Sequence, residues 1–130
     1  MKTSKEIDQL CHRIIGACIE VHKALGPGLL ENIYQRCLCR ELSLNGINYQ
    51  EEYSISLEYK GLKLDSSLRA DLLIEDTVIL ELKAVNEWNA IFEAQLISYL
   101  KLVDKPVGLL VNFNVPVLKD GVKRLFNGIQ

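Results

Sequence analysis

No stretch of this chain comes near the roughly 20 consecutive apolar residues that a membrane-spanning helix needs. The opening MKTSKEIDQL also lacks the apolar centre of a secretory signal. Together these absences predict a cytoplasmic protein with no membrane partner. Cysteine is sparse and badly spaced for metal. Cys11, Cys18, Cys37 and Cys39 include no C-x-x-C pair and no histidine at zinc-binding spacing, so they read as reduced, buried, small apolar side chains. A global positive field is missing too: the net charge is -2, and any polyanion would have to be held by a local patch. The best local concentration follows Gln95, where Lys101, Lys105, Lys119, Lys123 and Arg124 face only Asp104 and Asp120. Internal repeats, low-complexity tracts and linkers are absent. With 130 residues, 48% of them hydrophobic, the chain fits a single domain, residues 1–130, with a core of ordinary size.

What is present is periodic. Ile7, Leu10, Cys11, Ile14, Cys18, Val21 and Leu25 recur at helical spacing behind a Thr3 or Ser4 cap. Gly26-Pro27-Gly28 interrupts that helix, and a second runs from about Leu29 to Leu44, where Asn45-Gly46 ends it. Residues 1–46 thus read as a helical hairpin. Residues 47–85 change to strand character: Tyr49, Tyr53, Ile55, Leu57 and Tyr59 alternate with polar residues, Lys60-Gly61 turns, and RADLLIEDTVILELKAV forms a further hairpin. Helical spacing returns over 87–103, with Trp88, Ile91, Phe92, Leu96, Tyr99 and Val103 as its apolar side and Trp88 and Phe92 read as core. A continuous apolar run, Val107 to Phe113 within 106–114, predicts a strand covered on both faces. The tail LKDGVKRLFNG reads as a last helical turn or two. The order predicts an α/β sandwich, a mixed central β-sheet flanked by helices.

Three charges interrupt the central hairpin. Glu81 and Lys83 are two apart on one strand and therefore share a face, while Leu82 points to the other. If the turn is Glu75-Asp76-Thr77, Ile74 pairs with Val78 and Asp71 falls opposite Glu81 on that same face; a two-residue loop would pair Asp71 with Leu80 instead. Parity favours the odd loop. Opposed carboxylates repel unless a cation lies between them. Lys83 is one candidate; Mg²⁺ or Mn²⁺ is the other, with the Leu82 carbonyl as a further ligand between the two side chains. The apolar neighbours on both sides mark this hairpin as central, where charges need partners.

Other residues point the same way. Glu31 opens the second helix, with Tyr34 one turn on, both at the edge of its core stripe. Gln95 and Tyr99 lie one turn apart on the apolar side of the third helix and read as a buried amide and hydroxyl. His22 and Glu20 are weaker candidates, better explained as structural.

GLLENIY, Gly28 to Tyr34, matches the signature of the small bacterial GxxExxY family. IIGACIEVHKALGPGLLENIYQ, RADLLIEDTVILELKAV and VGLLVNFNV resemble that family along nearly the whole chain. The family is placed in the PD-(D/E)XK nuclease superfamily, so the resemblance implies a restriction-endonuclease-like sandwich. It implies that Asp71, Glu81 and Lys83 correspond to the catalytic triplet, with Glu31 the acidic residue from the preceding helix. Gln95 and Tyr99 look like the Q-x-x-x-Y motif that some members carry near bound nucleic acid. Ala70 departs from the pattern where the superfamily's name has Pro, which removes no ligand. The expectation is a Mg²⁺- or Mn²⁺-dependent nuclease acting on nucleic acid, DNA ahead of RNA. Asp71, Glu81, Leu82 and Glu31 would hold the metal, Lys83 would assist the attacking water, and Gln95, Tyr99 and Tyr34 would position the substrate. A homo-oligomer would lend so small a chain more basic surface. The rival expectation is a non-catalytic nucleic-acid-binding or protein-interaction module that keeps the fold and closes the same charges into an ion-pair network.

Overall fold

The computed structural model describes residues 1–128, and for residues 65–67 the backbone alone. Its elements are α1 (Ser4–Leu25), α2 (Glu31–Leu44), β1 (Tyr49–Tyr59), β2 (Leu62–Ile74), β3 (Val78–Lys83), α3 (Ile91–Val103), β4 (Val107–Asn112), a short 3-10 turn (Leu118–Gly121) and β5 (Val122–Phe126). Thr3 starts α1 through a reciprocal cap: its hydroxyl accepts from the Glu6 amide at 3.1 Å, and its own amide donates to the Glu6 carboxylate at 2.8 Å. The strands form one sheet in the order β1-β2-β3-β4-β5. All neighbours are antiparallel except β3 and β4, which run parallel because α3 carries the chain back between them.

Strand alternation gives the sheet two cores. Leu72 and Ile74 of β2, Val78, Leu80 and Leu82 of β3, and Val107, Leu109 and Val111 of β4 pack beneath α1 and α2. Ile55, Leu73, Ile79 and Leu110 pack on the other face beneath α3 against Leu96, Tyr99 and Leu100, joined by Ala70, which lies two residues from Leu72 yet on the opposite face because the alternation of β2 breaks at Asp71. β4 is therefore buried on both faces, as its unbroken apolar run predicts. Gly108 permits the close approach of α3, since a Cβ there would come within 2.8 Å of the Leu96 side chain.

The β2–β3 turn is the odd one: Ile74 pairs with Val78, and Glu75 and Asp76 take left-handed backbone at φ 50° and 52°. The tail meets its helical expectation only in the 3-10 turn Leu118–Gly121. Val122–Phe126 is an edge strand antiparallel to β4, with Val122 opposite Val111 and Phe126 opposite Val107. Its adjacent Lys123 and Arg124 obscure the alternation, because only one side of an edge strand packs and both cations lean to carboxylates on neighbouring helices, Glu93 and Asp8. α3 begins at Ile91 rather than at 87, because the Asn89 side chain accepts from the Ile91 amide at 2.9 Å and holds a turn ahead of the helix. All four cysteines are free thiols, and burial pushes Cys18 up to about 12. His22 is structural: it is buried, with Nε2 2.8 Å from the Val115 carbonyl. Glu20 lies on the surface beside Lys23.

Candidate active site

The β2–β3 ladder pairs Ile74 with Val78, Leu73 with Ile79 and Leu72 with Leu80, and stops there. β3 remains paired with β4 as far as Lys83 and Asn112. The next rung of the hairpin would join Asp71 and Glu81, and at that rung the side chains replace the ladder. The Asp71 amide donates to Glu81 Oε2 at 3.0 Å, and the Leu82 amide donates to Asp71 Oδ2 at 2.8 Å. Each carboxylate thus takes the place of a strand carbonyl and satisfies an amide left by the parting strands. The exchange also fixes both side chains against the backbone. A strand residue directs its N–H and C=O to the same side, so the Leu82 carbonyl shares the β2 side with the amide that meets Asp71.

The cleft is electrostatically unbalanced. Glu81 is only 5% exposed. Burial first, and then the neighbouring Asp71 carboxylate with a hydrogen bond to it, push the Glu81 carboxyl up to about 8, against the opposing pull of the Asp71 amide and then of Lys83. Without a cation, Glu81 therefore holds a proton at neutral pH. Lys83 does not close the charge: among the described residues it forms no ion pair within 4.0 Å, and its Nζ lies 4.5 Å from the ring centroid of Phe92. Its ammonium is seated on an aromatic face within electrostatic reach of the carboxylates.

Glu31 comes from the other layer. Gly28, at φ 100°, turns the chain into α2, whose first residue is Glu31. Tyr34, fully buried one turn later, donates its hydroxyl to the Gly26 carbonyl and accepts the Leu29 amide at 3.1 Å. Its ring stacks on Phe113 at 4.5 Å, and the Phe113 amide donates to the Lys83 carbonyl at 2.9 Å. This chain of contacts holds the start of α2 against the end of β3. The Glu31 carboxyl is raised by partial desolvation above all; the Lys83 ammonium opposes that, the Asp71 carboxylate adds to it, and the Ala84 amide opposes it. Although Glu31 is exposed overall, it senses two members of the triplet, Lys83 and Asp71.

The remaining candidates divide. Tyr99 is buried, and its hydroxyl is raised by burial and then by the Glu81 and Asp71 carboxylates, which places it in their field. Gln95 is exposed, contrary to the expected buried amide, because the first turns of α3 are mostly open while Leu96, Tyr99 and Leu100 make the inward contacts. Tyr34 is not presented to a substrate: it is fully buried with its hydroxyl spent on the loop, so its place in the sequence signature is that of a clamp. Sequence reading misses Phe92 as the seat of Lys83, since a Phe at an apolar helical position reads as core. It also misses Asn112, a buried amide that accepts from Val85 and Asn114 and donates to the Val85 carbonyl, tying the loops after β3 and β4 together.

Two carboxylates fixed by backbone amides, one of them raised by burial and by its neighbour's charge, are hard oxygen donors of the kind a divalent cation takes. Among the described residues no group of three or more His, Cys, Asp and Glu is gathered closely enough to hold a metal, so the expected joining of Glu31 to Asp71 and Glu81 as a third ligand is not seen. No described helix is long and apolar enough to cross a membrane.

A mixed sheet between helices, with opposed carboxylates and a lysine on one face, defines a restriction-endonuclease-like fold. A family model described as the PD-(D/E)XK nuclease superfamily matches residues 8–125, and the chain belongs to that superfamily. The crystal structure of SSO0001 is similar at 20% identity and a TM-score of 0.52, over 76% of this chain and 50% of that one. That likeness is one of fold, and the chain spans half the length of that protein. No curated protein matches the sequence significantly.

Proposed function

We propose that the protein is a Mg²⁺- or Mn²⁺-dependent nuclease that hydrolyses phosphodiester bonds of DNA or RNA. The observation that carries this reading is the rung at which Asp71 and Glu81 are held together by backbone amides with no described side-chain cation in an ion pair with either, while Lys83 stands apart on Phe92. A closed ion-pair network, the basis of the rival interaction module, calls for Lys83 between the carboxylates. A divalent ion held by Asp71, Glu81 and the Leu82 carbonyl, with Glu31 drawn in as a further ligand, would supply positive charge to the scissile phosphate and acidify a water.

The chain's own residues perform the rest. Glu81 releases its proton when a cation is taken up, so loading grows easier as pH rises. Asp71 and Glu81 need no reorientation, because backbone amides hold them. Lys83 swings from the Phe92 ring toward the phosphate oxygens and stabilises the charge that accumulates as the water oxygen bonds to phosphorus and the ester P–O bond breaks. Tyr99 donates from the α3 side, and Gln95, exposed on the same helix, meets the nucleic-acid strand.

The test separates cation binding from chemistry. Lys83→Ala should retain Mn²⁺ binding by calorimetry yet lower cleavage about 100-fold or more, as for loss of a transition-state charge partner. Glu81→Ala should lose both. Single-stranded, duplex and branched DNA and RNA are all assayed. Purified wild type that binds Mn²⁺ but cuts none of them would leave the interaction-module reading in its place.

A further inference from the structure

Beside Lys83 lies a second built feature. The loop after β3, the loop after β4 and the start of β5 enclose a cavity of about 350 Å³, lined among others by Asn86, Trp88, Asn112, Asn114, Asp120 and Lys123. Asn112 is the rung partner of Lys83 across β3 and β4, so cavity and triplet share a wall. That wall is rigid. The Asn112 side chain holds both loops through its bonds to Val85 and Asn114. Gly121 lets the 3-10 turn lie directly on β4, where a Cβ would fall 2.3 Å from the Asn112 carbonyl oxygen.

The lining has a definite chemistry. Trp88 is the chain's one tryptophan, half-buried, with its ring edge-on to Phe92 at 5.2 Å and 82°. Its Nε1–H donates to Glu93 at 3.0 Å, which fixes the indole plane. Lys123 reaches to 5.9 Å from the Trp88 ring centroid and 3.4 Å from Glu93, with half its side chain exposed. Asn114 donates to Asn86 Oδ1, so the paired amides still carry the N–H donors of Asn86 and the oxygen of Asn114. Asp120 adds one carboxylate to the lining.

We infer that this cavity seats one unpaired nucleobase adjacent to the phosphate being cut. The inference rests on the nuclease reading and narrows its substrate to nucleic acid with a single-stranded, flapped or frayed segment. The indole stacks against the base, the Asn86–Asn114 amides meet its polar edge, and Lys123 leaves the weak, exposed Glu93 pair for the flanking phosphate. A base inside a duplex is covered on both faces and has its edge occupied, so a cavity walled by two loops and a strand admits only an unstacked one.

Because Trp88 is the sole tryptophan, its fluorescence reports the cavity without any need for catalysis. Wild type in metal-free buffer is titrated with a short single-stranded deoxyoligonucleotide, the matching blunt duplex, a nucleoside 5′-monophosphate and inorganic phosphate. Binding is followed in parallel by anisotropy of labelled oligonucleotides. The expected result is saturable quenching by the single strand, weaker quenching by the monophosphate, and little from duplex or inorganic phosphate. Trp88→Ala should weaken single-strand binding about 5- to 100-fold, as for loss of one stacked base, and Trp88→Phe should recover most of it, which also guards against misfolding. Lys123→Gln should weaken the oligonucleotide and the monophosphate alike.

Cleavage with Mn²⁺ keeps the two claims apart. If wild type cleaves or binds while Trp88 emission stays unmoved and Trp88→Ala behaves like wild type, the base seat is wrong and the nuclease reading stands. If the fluorescence responds with single-strand preference but nothing is cut, the seat stands and the nuclease reading falls. Equal quenching by duplex and single strand overturns the inference, and absence of both binding and cleavage overturns both claims.

Discussion

At the last rungs of β3 and β4 the two faces of one sheet are chemically opposite. Toward α1 and α2 stand Leu82, Val111 and Phe113, none more than 1% exposed, sealed by Tyr34 against Phe113. Toward α3, one residue out of phase, stand Glu81, Lys83 and Asn112. The closed face makes the open one tenable. Its apolar burial fixes the register, since a slip by one residue would exchange Leu82 for Glu81, and so it holds charges where a solvated hairpin would let them drift apart. Polar chemistry at the end of a buried strand thus rests on an ordinary core behind it.

The comparison breaks most completely at the open face. Asp71→Asn should abolish the rise in melting temperature that millimolar Mg²⁺ or Mn²⁺ gives wild type, which corresponds to about 2.7 kcal/mol when the ion is at about 100 times its dissociation constant. The metal-free variant should nevertheless stay folded, because an asparagine oxygen can still accept the Leu82 amide. If Asp71→Asn instead destabilises the protein and metal has no effect on wild type, the carboxylates are structural.

The mirror experiment is Leu82→Ala. It should cost about 2–5 kcal/mol in urea unfolding, as for a fully buried leucine, yet leave the increment from Mn²⁺ unchanged at temperatures where the variant is folded. Loss of that increment would mean that the faces do not act separately. A smaller effect belongs to Tyr34→Phe, which removes the hydroxyl shared by Gly26 and Leu29 at about 1 kcal/mol. Amide exchange at Leu29 should quicken while protection at Leu82 persists; equal acceleration at both would show that the clamp reaches the carboxylate pair as well as the loop.

Much of this was legible in the sequence, and the rest failed for physical reasons. Loop parity at Glu75-Asp76-Thr77 correctly gave the register from Ile74 and Val78 to Leu72 and Leu80. Periodicity also indicated the two-sided burial of β4. It could not show that the ladder ends one rung before Asp71 and Glu81, because alternation reports which face a side chain takes and not whether the backbones still touch. Nor does helical spacing distinguish a residue over the core from one beyond its edge. That is why Gln95 reads as buried and is exposed, and why Trp88 and Phe92, read as core, do pack against the core beneath α3 but at its edge, where their rings also meet the cations Lys123 and Lys83. The basic tail dispersed as well: Lys105 pairs with Asp76, Arg124 with Asp8 and Lys123 with Glu93.

The central claim is that Asp71 and Glu81 form a cation site held partly protonated when empty. Glu81 is raised from an ordinary carboxylate value to about 8 in the folded protein, so the native state keeps a proton that the unfolded chain has lost. Its contribution to stability is full below about 4.5, the ordinary value, and disappears as pH rises through 8. Metal-free protein should therefore melt progressively lower from pH 5 to pH 8, with Glu81→Gln flattening that slope. The most direct measurement is Mn²⁺ titration by calorimetry at pH 7 in buffers of differing ionisation enthalpy, which counts protons released per ion bound. Release approaching one proton in wild type, and none in Glu81→Gln, is the predicted result. Mn²⁺ bound with no proton release, or not bound at all, would contradict the claim.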